Sequence, residues 1–462
     1  MTHVIEALVA ALGPQVRTGP DIPSRNHADA GGLQPTAPQA LILPQTTQDV
    51  STALRICHEH RQPVVTQGGL TGLAGGAHPQ AGEIALSLER MNGIEEIDPA
   101  SATLTALAGT PLAVVQQAAD EAGFLCGIDL GARGTCTIGG NIATNAGGNQ
   151  VLRYGMARRN TLGLEVVLAD GTVVRSLNKM LKNNAGYDWT QLFIGSEGTL
   201  GIITRAVIGL HPKPQGLQTA LCAVDSFEDA LIVLRRFQQA HPGRLLVFEA
   251  MWREFMTVAT KICGLPPAFE AEHDVTLLIE ADMGTDPEGT EAFSLILSEF
   301  YEQDLIKDAV VAQSRADRNR FWAYRETPYE YGRFLPEEIR FDVSVPLDRM
   351  TEAVAHLRQE MPKQWPDAVY VVFGHVADSN IHINVAIRDM NDVIKKGVQG
   401  LVYDLVSRLG GSISAEHGIG RIKRPYLPLS RTEPELALMG KMKRMLDPAG
   451  ILNPGRILQG PV

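Results

Sequence analysis

The stretch "GHVADSNIHINV", Gly374 to Val385, sets two histidines, His375 and His382, on either side of a short polar turn in an otherwise apolar run. Two neutral imidazoles suit a borderline divalent metal ion, but two ligands alone make a weak site. A third donor is available in "SISAEHGIG", where Glu416 and His417 precede glycines that let a loop approach closely. The bland alternative leaves each histidine as a half-buried residue with an ordinary hydrogen bond.

The elements that must position these groups can be read from pattern. "YVVFGHV" and "NIHINVAI" read as two strands joined near "ADSN", with His375 and His382 facing across the pair. Alternation puts His382 and Asn384 on one face and Ile381, Ile383 and Val385 on the other. "SISA" is expected to be a strand leading to Glu416. Upstream, "RNRFWAYRETPYEYGRF" reads as a helix ended by Pro328 and carrying Arg325 and Tyr329. A guanidinium fork suits a planar carboxylate, the alternative being a surface arginine paired with Glu326. In "EIRFDVSVP", Ile339, Phe341, Val343 and Val345 share one face, and Arg340, Asp342 and Ser344 share the other.

Three further segments are rich in glycine: "VTQGGLTGLAGGA" at 65 to 77, "GIDLGARGTCTIGGNIATNAGG" at 127 to 148, and "LFIGSEGTLGIIT" at 192 to 204. Glycines let backbone N–H groups converge on an anion, and a pyrophosphate is the commonest cellular anion that needs such a cradle. None of the three contains G-x-G-x-x-G or G-x-x-x-x-G-K-[ST], which disfavours a Rossmann dinucleotide site and a P-loop. The alternative is that these glycines serve tight turns only.

At 462 residues and 44% hydrophobic composition the chain can build two or three cores. Its net charge of −11, without a basic stripe, makes nucleic acid and anionic membrane poor partners. Five cysteines, odd in number and never spaced C-x-x-C, read as reduced thiols, so a cytoplasmic, soluble protein is expected. The first residues read as a short amphipathic helix rather than a signal peptide, and no apolar run is long enough for a transmembrane segment. "TQDVSTALRICHEHR" reads as a helix, as does "AGTPLAVVQQAADEAG", with Thr110 as its N-cap, Pro111 at its first position and Gly123 past its end. Pro and Gly in "HPKPQG" mark a domain boundary.

"QGGLTGLAGGA", "IGGNIATNAGGNQVLRYG", "GSEGTLGIIT" and the terminal "NPGR" resemble the FAD-linked oxidases of the vanillyl-alcohol oxidase superfamily. Through "FGHVADSNIHINV" and "SAEHGIG" the resemblance extends to its D-2-hydroxyacid dehydrogenases, those of D-lactate and D-2-hydroxyglutarate included. It implies an α+β fold: a two-subdomain FAD-binding domain over residues 1–212, an α+β substrate-binding cap domain with the metal site over 213–427, and a C-terminal segment, 428–462, that returns to the FAD domain.

By motif match, Gly68, Gly69, Thr71 and Gly72 would meet the pyrophosphate, and Gly139, Gly140, Asn141, Thr144 and Asn145 would line flavin and ribityl. Glu197, Gly198 and Ile203 would hold the adenosine side, with Asn453 returning to the flavin. FAD is expected to be non-covalent, since Gly72 is followed by Leu73 where some members carry an attachment histidine. The resemblance makes His375, His382 and Glu416 ligands of a divalent metal, zinc being favoured, with His417 the catalytic base. Arg325, Tyr329, Arg340 and Asn384 form the substrate-binding group. Members acting on D-2-hydroxyglutarate have a lysine where Arg340 stands and a threonine where Tyr329 stands. The implied substrate is a D-2-hydroxy acid, with electrons leaving for an acceptor such as an electron-transfer flavoprotein or a quinone. A homodimer is compatible with it, and a flavin-binding protein without turnover is the rival of a different class.

Overall fold

A computed structural model describes residues 3–459. The chain divides into two compact units, one made of Met1–Lys213 with Glu416–Val462 and the other of Pro214–Ala415. The first crossing falls inside "HPKPQG"; the return is at Glu416, where the motif reading puts it at 428.

In the first unit, β1 (Val16–Thr18), β2 (Ala40–Ile42), β3 (Val64–Gln67) and β4 (Ile84–Ser87) form one sheet in the order β1-β2-β4-β3. β2, β4 and β3 run parallel, and their strands are almost wholly buried, as parallel strands covered on both faces are. The helix Thr47–Glu59 leads from β2 to β3. A capping box between Thr46 and Asp49 starts it, and Val50, Ala53, Leu54 and Cys57 give it one apolar stripe at helical spacing.

A second sheet holds β5 (Ile94–Asp98), β6 (Thr103–Leu107), β7 (Phe124–Cys126), β8 (Thr161–Val167), β9 (Val173–Ser176) and β10 (Ile202–Pro212). Its order is β5-β6-β10-β8-β9, all antiparallel, with β7 on the far end of β10. One apolar core joins the two sheets, and Glu165 of β8, fully buried, pins them with bonds from Thr47, Thr204 and Arg205.

The helix after β6 departs from expectation at its start. It runs Leu112–Glu121, capped by Pro111 in extended conformation, and Thr110 makes no cap bond to it. The Thr110 oxygen accepts instead from the Gly93 N–H at 2.9 Å while its hydroxyl donates to the Leu107 carbonyl at 2.6 Å, so the side chain is held by the strand end and its turn. Gly123 does follow the helix end, at φ +87°.

The second unit is a seven-stranded antiparallel sheet of β11 (Leu217–Val224), β12 (Leu245–Trp252), β13 (Val275–Asp282), β14 (Asp308–Val311), β15 (Glu338–Ser344), β16 (Val369–Gly374) and β17 (Asn380–Ala386). The order is β14-β11-β13-β12-β16-β17-β15. On one face Ile381, Ile383, Val385, Phe341 and Val343 are buried, and Phe341 packs edge-on against Tyr403 of the helix Asp392–Arg408. The opposite face carries Met251, Leu278, Val371 and Phe373 under Phe321 and Tyr324 of the helix Arg315–Arg325. Alternation along each strand puts the polar side chains considered next on that second face.

Candidate active site

In the second unit the register aligns Met251, Phe373, His382 and Asp342 across four neighbouring strands. Phe373, not His375, is the cross-strand partner of His382. His375 lies just past the end of β16, where a short 3-10 turn, Val376–Asp378, begins. The two imidazoles still meet, edge to face, with ring centres 5.6 Å apart. The same register, Ala250 on Gly374 and Met251 on Phe373, sets Glu249 opposite His375.

Glu249 is fully buried, and its carboxylate lies between two groups. Arg325 Nε donates to Oε2 at 2.6 Å, and His375 Nδ1 meets Oε1. Burial by itself would raise the Glu249 pKa; the Arg325 guanidinium and His375 outweigh it and hold the carboxyl well below its usual range. The two neighbours thus favour the ionised form of Glu249. His382 has a matching arrangement, its Nδ1 3.9 Å from Oδ1 of the fully buried Asp342, which Asn380 Nδ2 also reaches at 2.8 Å. Both imidazoles thus turn Nδ1 toward a buried carboxylate, as metal-bound histidines commonly do, and His375 Nε2 meets Arg325 Nη2 at 3.4 Å.

Arg325, the last residue of its helix, is 7% exposed and stacks 4.7 Å over the Phe373 ring. It pairs with Glu249 and not with Glu326, so the surface alternative does not hold. Arg340 and Asn384 stand opposite each other on β15 and β17. Asp342 is not the partner of Arg340: Glu338 takes a bond from Arg340 Nε at 2.7 Å and another from Asn384 Nδ2 at 3.1 Å. Tyr329 is 67% exposed, so its hydroxyl would meet a substrate only from the solvent side. Two residues on, Tyr331 is buried in the apolar cluster.

In the first unit the three glycine segments converge. A Cβ on Gly68 would stand 2.6 Å from Thr137 Oγ1, and one on Gly69 2.0 Å from the Thr135 carbonyl. Only glycine permits that approach. The Glu197 N–H donates to the Ala143 carbonyl, and that of Gly195 to the carbonyl of Ile142. Asn453 joins the group from the C-terminus: its Oδ1 accepts from Thr66 N–H at 2.8 Å and its Nδ2 donates to the Glu197 carbonyl at 2.7 Å. Asn145, Glu197, Gly198 and Asn453 all have positive φ, marking a tightly turned cluster.

Glu416 and His417 lie in the loop that opens the returning segment, which follows an isolated bridge, Ser344 with Ser412, and not the expected strand. Glu416 Oε1 accepts from Gly148 N–H at 2.6 Å. Beyond His417, Ile419 and Gly420 donate to the two oxygens of Glu197 at 2.7 and 2.8 Å. Glu197 therefore braces the His417 loop, a contact additional to the adenosine-side role that the motif match implies. Burial raises its pKa against the pull of those two N–H groups and Lys423. Ile203 sits on β10, 4% exposed, in the core that joins the two sheets.

Comparison with known proteins matches two families, the second beginning at the first crossing between the units. Residues 38–176 match the FAD binding domain, and residues 213–457 match the C-terminal domain of FAD linked oxidases. A Bos taurus relative named D-2-hydroxyglutarate dehydrogenase, mitochondrial, is 39% identical over 421 residues, 91% of this chain and 77% of its own length. This chain belongs to the FAD-linked oxidase family. A Schizosaccharomyces pombe member, assigned provisionally as a mitochondrial D-lactate dehydrogenase, is 35% identical over 90% of this chain and 81% of its own. Among solved structures, p-cresol methylhydroxylase superposes with a TM-score of 0.79 over 98% of this chain and 96% of its own at 18% identity, which shows the vanillyl-alcohol-oxidase-type fold. The protein is thus an FAD-binding oxidoreductase with a second, α+β domain.

The family corrects one expectation. A cytoplasmic location does not stand, because these relatives are named as mitochondrial enzymes. All five cysteines are free, four of them buried. Free thiols report a reducing environment, which more than one compartment provides.

The residues present fit FAD. Gly72 faces open space, with nothing within 4 Å of an added Cβ, beside glycines that are otherwise closely walled. That is the opening a pyrophosphate cradle needs. Reading the sequence missed Glu249, Asp342 and Glu338. The first two left one signal, a lone acid in a strand whose neighbours are apolar.

Proposed function

We propose that this oxidoreductase converts a D-2-hydroxy acid, D-2-hydroxyglutarate in the first place, to the 2-oxo acid and passes the electrons to a separate acceptor. The observation that carries the reading is the polar face of the second unit, where Arg325, His375, His382, Asn384 and Arg340 share one side of an otherwise apolar sheet. Bound FAD, held non-covalently by Gly68, Gly69, Thr71, Gly72, Gly139, Gly140, Asn141, Thr144, Asn145, Gly198, Ile203 and Asn453, supplies the acceptor for a hydride.

The residues have distinct tasks. Arg325, with Nε on Glu249 and Nη2 against His375, has its remaining terminal N–H donors to orient the C1 carboxylate. His417 takes the hydroxyl proton as C2 is oxidised. Arg340 and Asn384 receive the far end of the acid, and Tyr329 meets it at the solvent side. His375 and His382, with Glu416 as third ligand, are the donor set that would hold a borderline divalent cation such as zinc. Such a cation would supply Lewis acidity toward the hydroxyl oxygen.

The deciding experiment is anaerobic bleaching of the flavin band with 2-hydroxy acids of both configurations. D-Acids are expected to bleach it and L-acids not. A flavin that no 2-hydroxy acid reduces would make this a flavin-binding protein without turnover. Among D-acids, a charge-assisted contact to Arg340 predicts that D-2-hydroxyglutarate exceeds D-lactate by roughly ten- to a hundred-fold in kcat/KM. Arg340→Ala should bring the two acids close to parity; equal losses for both would remove the dicarboxylate reading. D-Lactate is the second reading, favoured because Arg340 already has an anionic partner in Glu338.

FAD should leave with the supernatant on acid precipitation. Cys136, whose backbone packs on Gly69, is 3% exposed, and burial pushes its thiol pKa up, away from nucleophilic thiolate. Yellow colour retained in the pellet would overturn this.

A further inference from the structure

The far end of the candidate substrate site already contains a carboxylate. Glu338 lies on the same strand face as Arg340, two residues before it, and Arg340 stands in register with Asn384 on the neighbouring strand. The Glu338 oxygens divide between the two: Oε1 accepts from Arg340 Nε at 2.7 Å, and Oε2 accepts from Asn384 Nδ2 at 3.1 Å. The Glu338 side chain is only 9% exposed, whereas that of Arg340 is 45% exposed. The anion is thus tucked against the sheet and the guanidinium reaches outward.

We infer that Glu338 is a specificity-determining residue, its carboxylate occupying the donors of Arg340 and Asn384 that the distal carboxylate of a substrate would take. This rests on the reading that Arg340 receives the far end of the acid. A guanidinium has five N–H donors, so a second carboxylate can still be held on the outer ones, but it then lies beside an anion that shares the same cation. A dicarboxylate has either to displace Glu338, leaving a poorly hydrated carboxylate unpaired, or to bind next to it against repulsion. A monocarboxylic acid such as D-lactate does not extend to this point and does not meet the anion. Glu338 therefore narrows the advantage of dicarboxylates that Arg340 creates.

The experiment measures kcat/KM for D-2-hydroxyglutarate and D-lactate with wild type, Glu338→Gln and Arg340→Ala, with the flavin spectrum as a check on folding. Glutamine keeps the shape and one acceptor oxygen but not the charge. The ratio of the two constants, dicarboxylate over monocarboxylate, should rise about ten-fold in Glu338→Gln, mainly through the KM of the dicarboxylate. It should fall toward one in Arg340→Ala. An unchanged or lower ratio in Glu338→Gln, with the Arg340→Ala ratio falling as stated, overturns this inference alone and makes Glu338 a support that aims Arg340. A ratio that Arg340→Ala leaves untouched overturns both the Arg340 reading and the role of Glu338.

Discussion

Treatment of the holoenzyme with a strong chelator is expected to abolish turnover while the flavin absorbance survives. The two cofactors would be held by different residues, the metal by His375, His382 and Glu416 and the flavin by the glycine cradle, so one can be lost without the other. Three protein ligands leave coordination positions open, which is the mark of a working rather than a closed structural site. His375→Ala and His382→Ala should each lower bound metal and activity together. Glu249→Gln gives the sharper version. Its carboxylate is fully buried between Arg325 and His375, so neutralising it frees the imidazole to rotate and leaves a buried guanidinium without its counter-ion. Loss of such a supporting carboxylate typically weakens metal retention by about 10- to 100-fold. Metal content measured after dialysis reads this without reference to activity. If both histidine variants keep wild-type metal and turnover, the site is misread.

His417→Ala should lower the rate of flavin reduction by roughly 100-fold or more, the usual worth of a positioned general base, with a much smaller change in substrate affinity. The loop around it is braced by a buried carboxylate. Glu197 accepts from Ile419 and Gly420, and a Cβ at Gly418, φ +76°, would come within 2.8 Å of Glu197 Oε1. Those contacts do not involve the imidazole and remain in the variant. The variant should also lose the alkaline rise in reduction rate that a base of histidine type confers. A normal reduction rate would make His417 a structural loop residue.

The parts of this protein legible from the chain alone are those set by local sterics or local periodicity. The glycine segments could be picked out because backbone that approaches other backbone within about 3 Å tolerates no Cβ, and that demand is written at the position itself. The hairpin from Val369 to Ala386, the helix Thr47–Glu59 and the first crossing between units near Lys213 were legible for the same kind of reason: alternation, capping and breaker residues act over a few positions. Even so, a local rule failed at Thr110, whose oxygen accepts from the Gly93 N–H and not from the helix that follows.

What the chain could not disclose is which side chains complete the site from a distance. Glu249 reaches His375 because β12 pairs with β16, and Asp342 reaches His382 because β15 pairs with β17. Glu197 reaches Ile419 across 222 positions, and Asn453 reaches Thr66 across 387. Arg340 illustrates the point most plainly. Its place on a polar strand face was readable, but its partner was not: Asp342 stands two residues after it and Glu338 two before, and Glu338 takes the bond. Alternation puts both acids on the same face as Arg340 and cannot choose between them. The choice falls to the neighbouring strand: Asn380 Nδ2 and the His382 imidazole lie against Asp342, and Asn384 holds Glu338 where the guanidinium can reach it. The sequence by itself determined the cradle, the histidine pair and the family; tertiary structure decided which buried carboxylates orient them, because cross-strand register is a property of the folded sheet and not of any one strand.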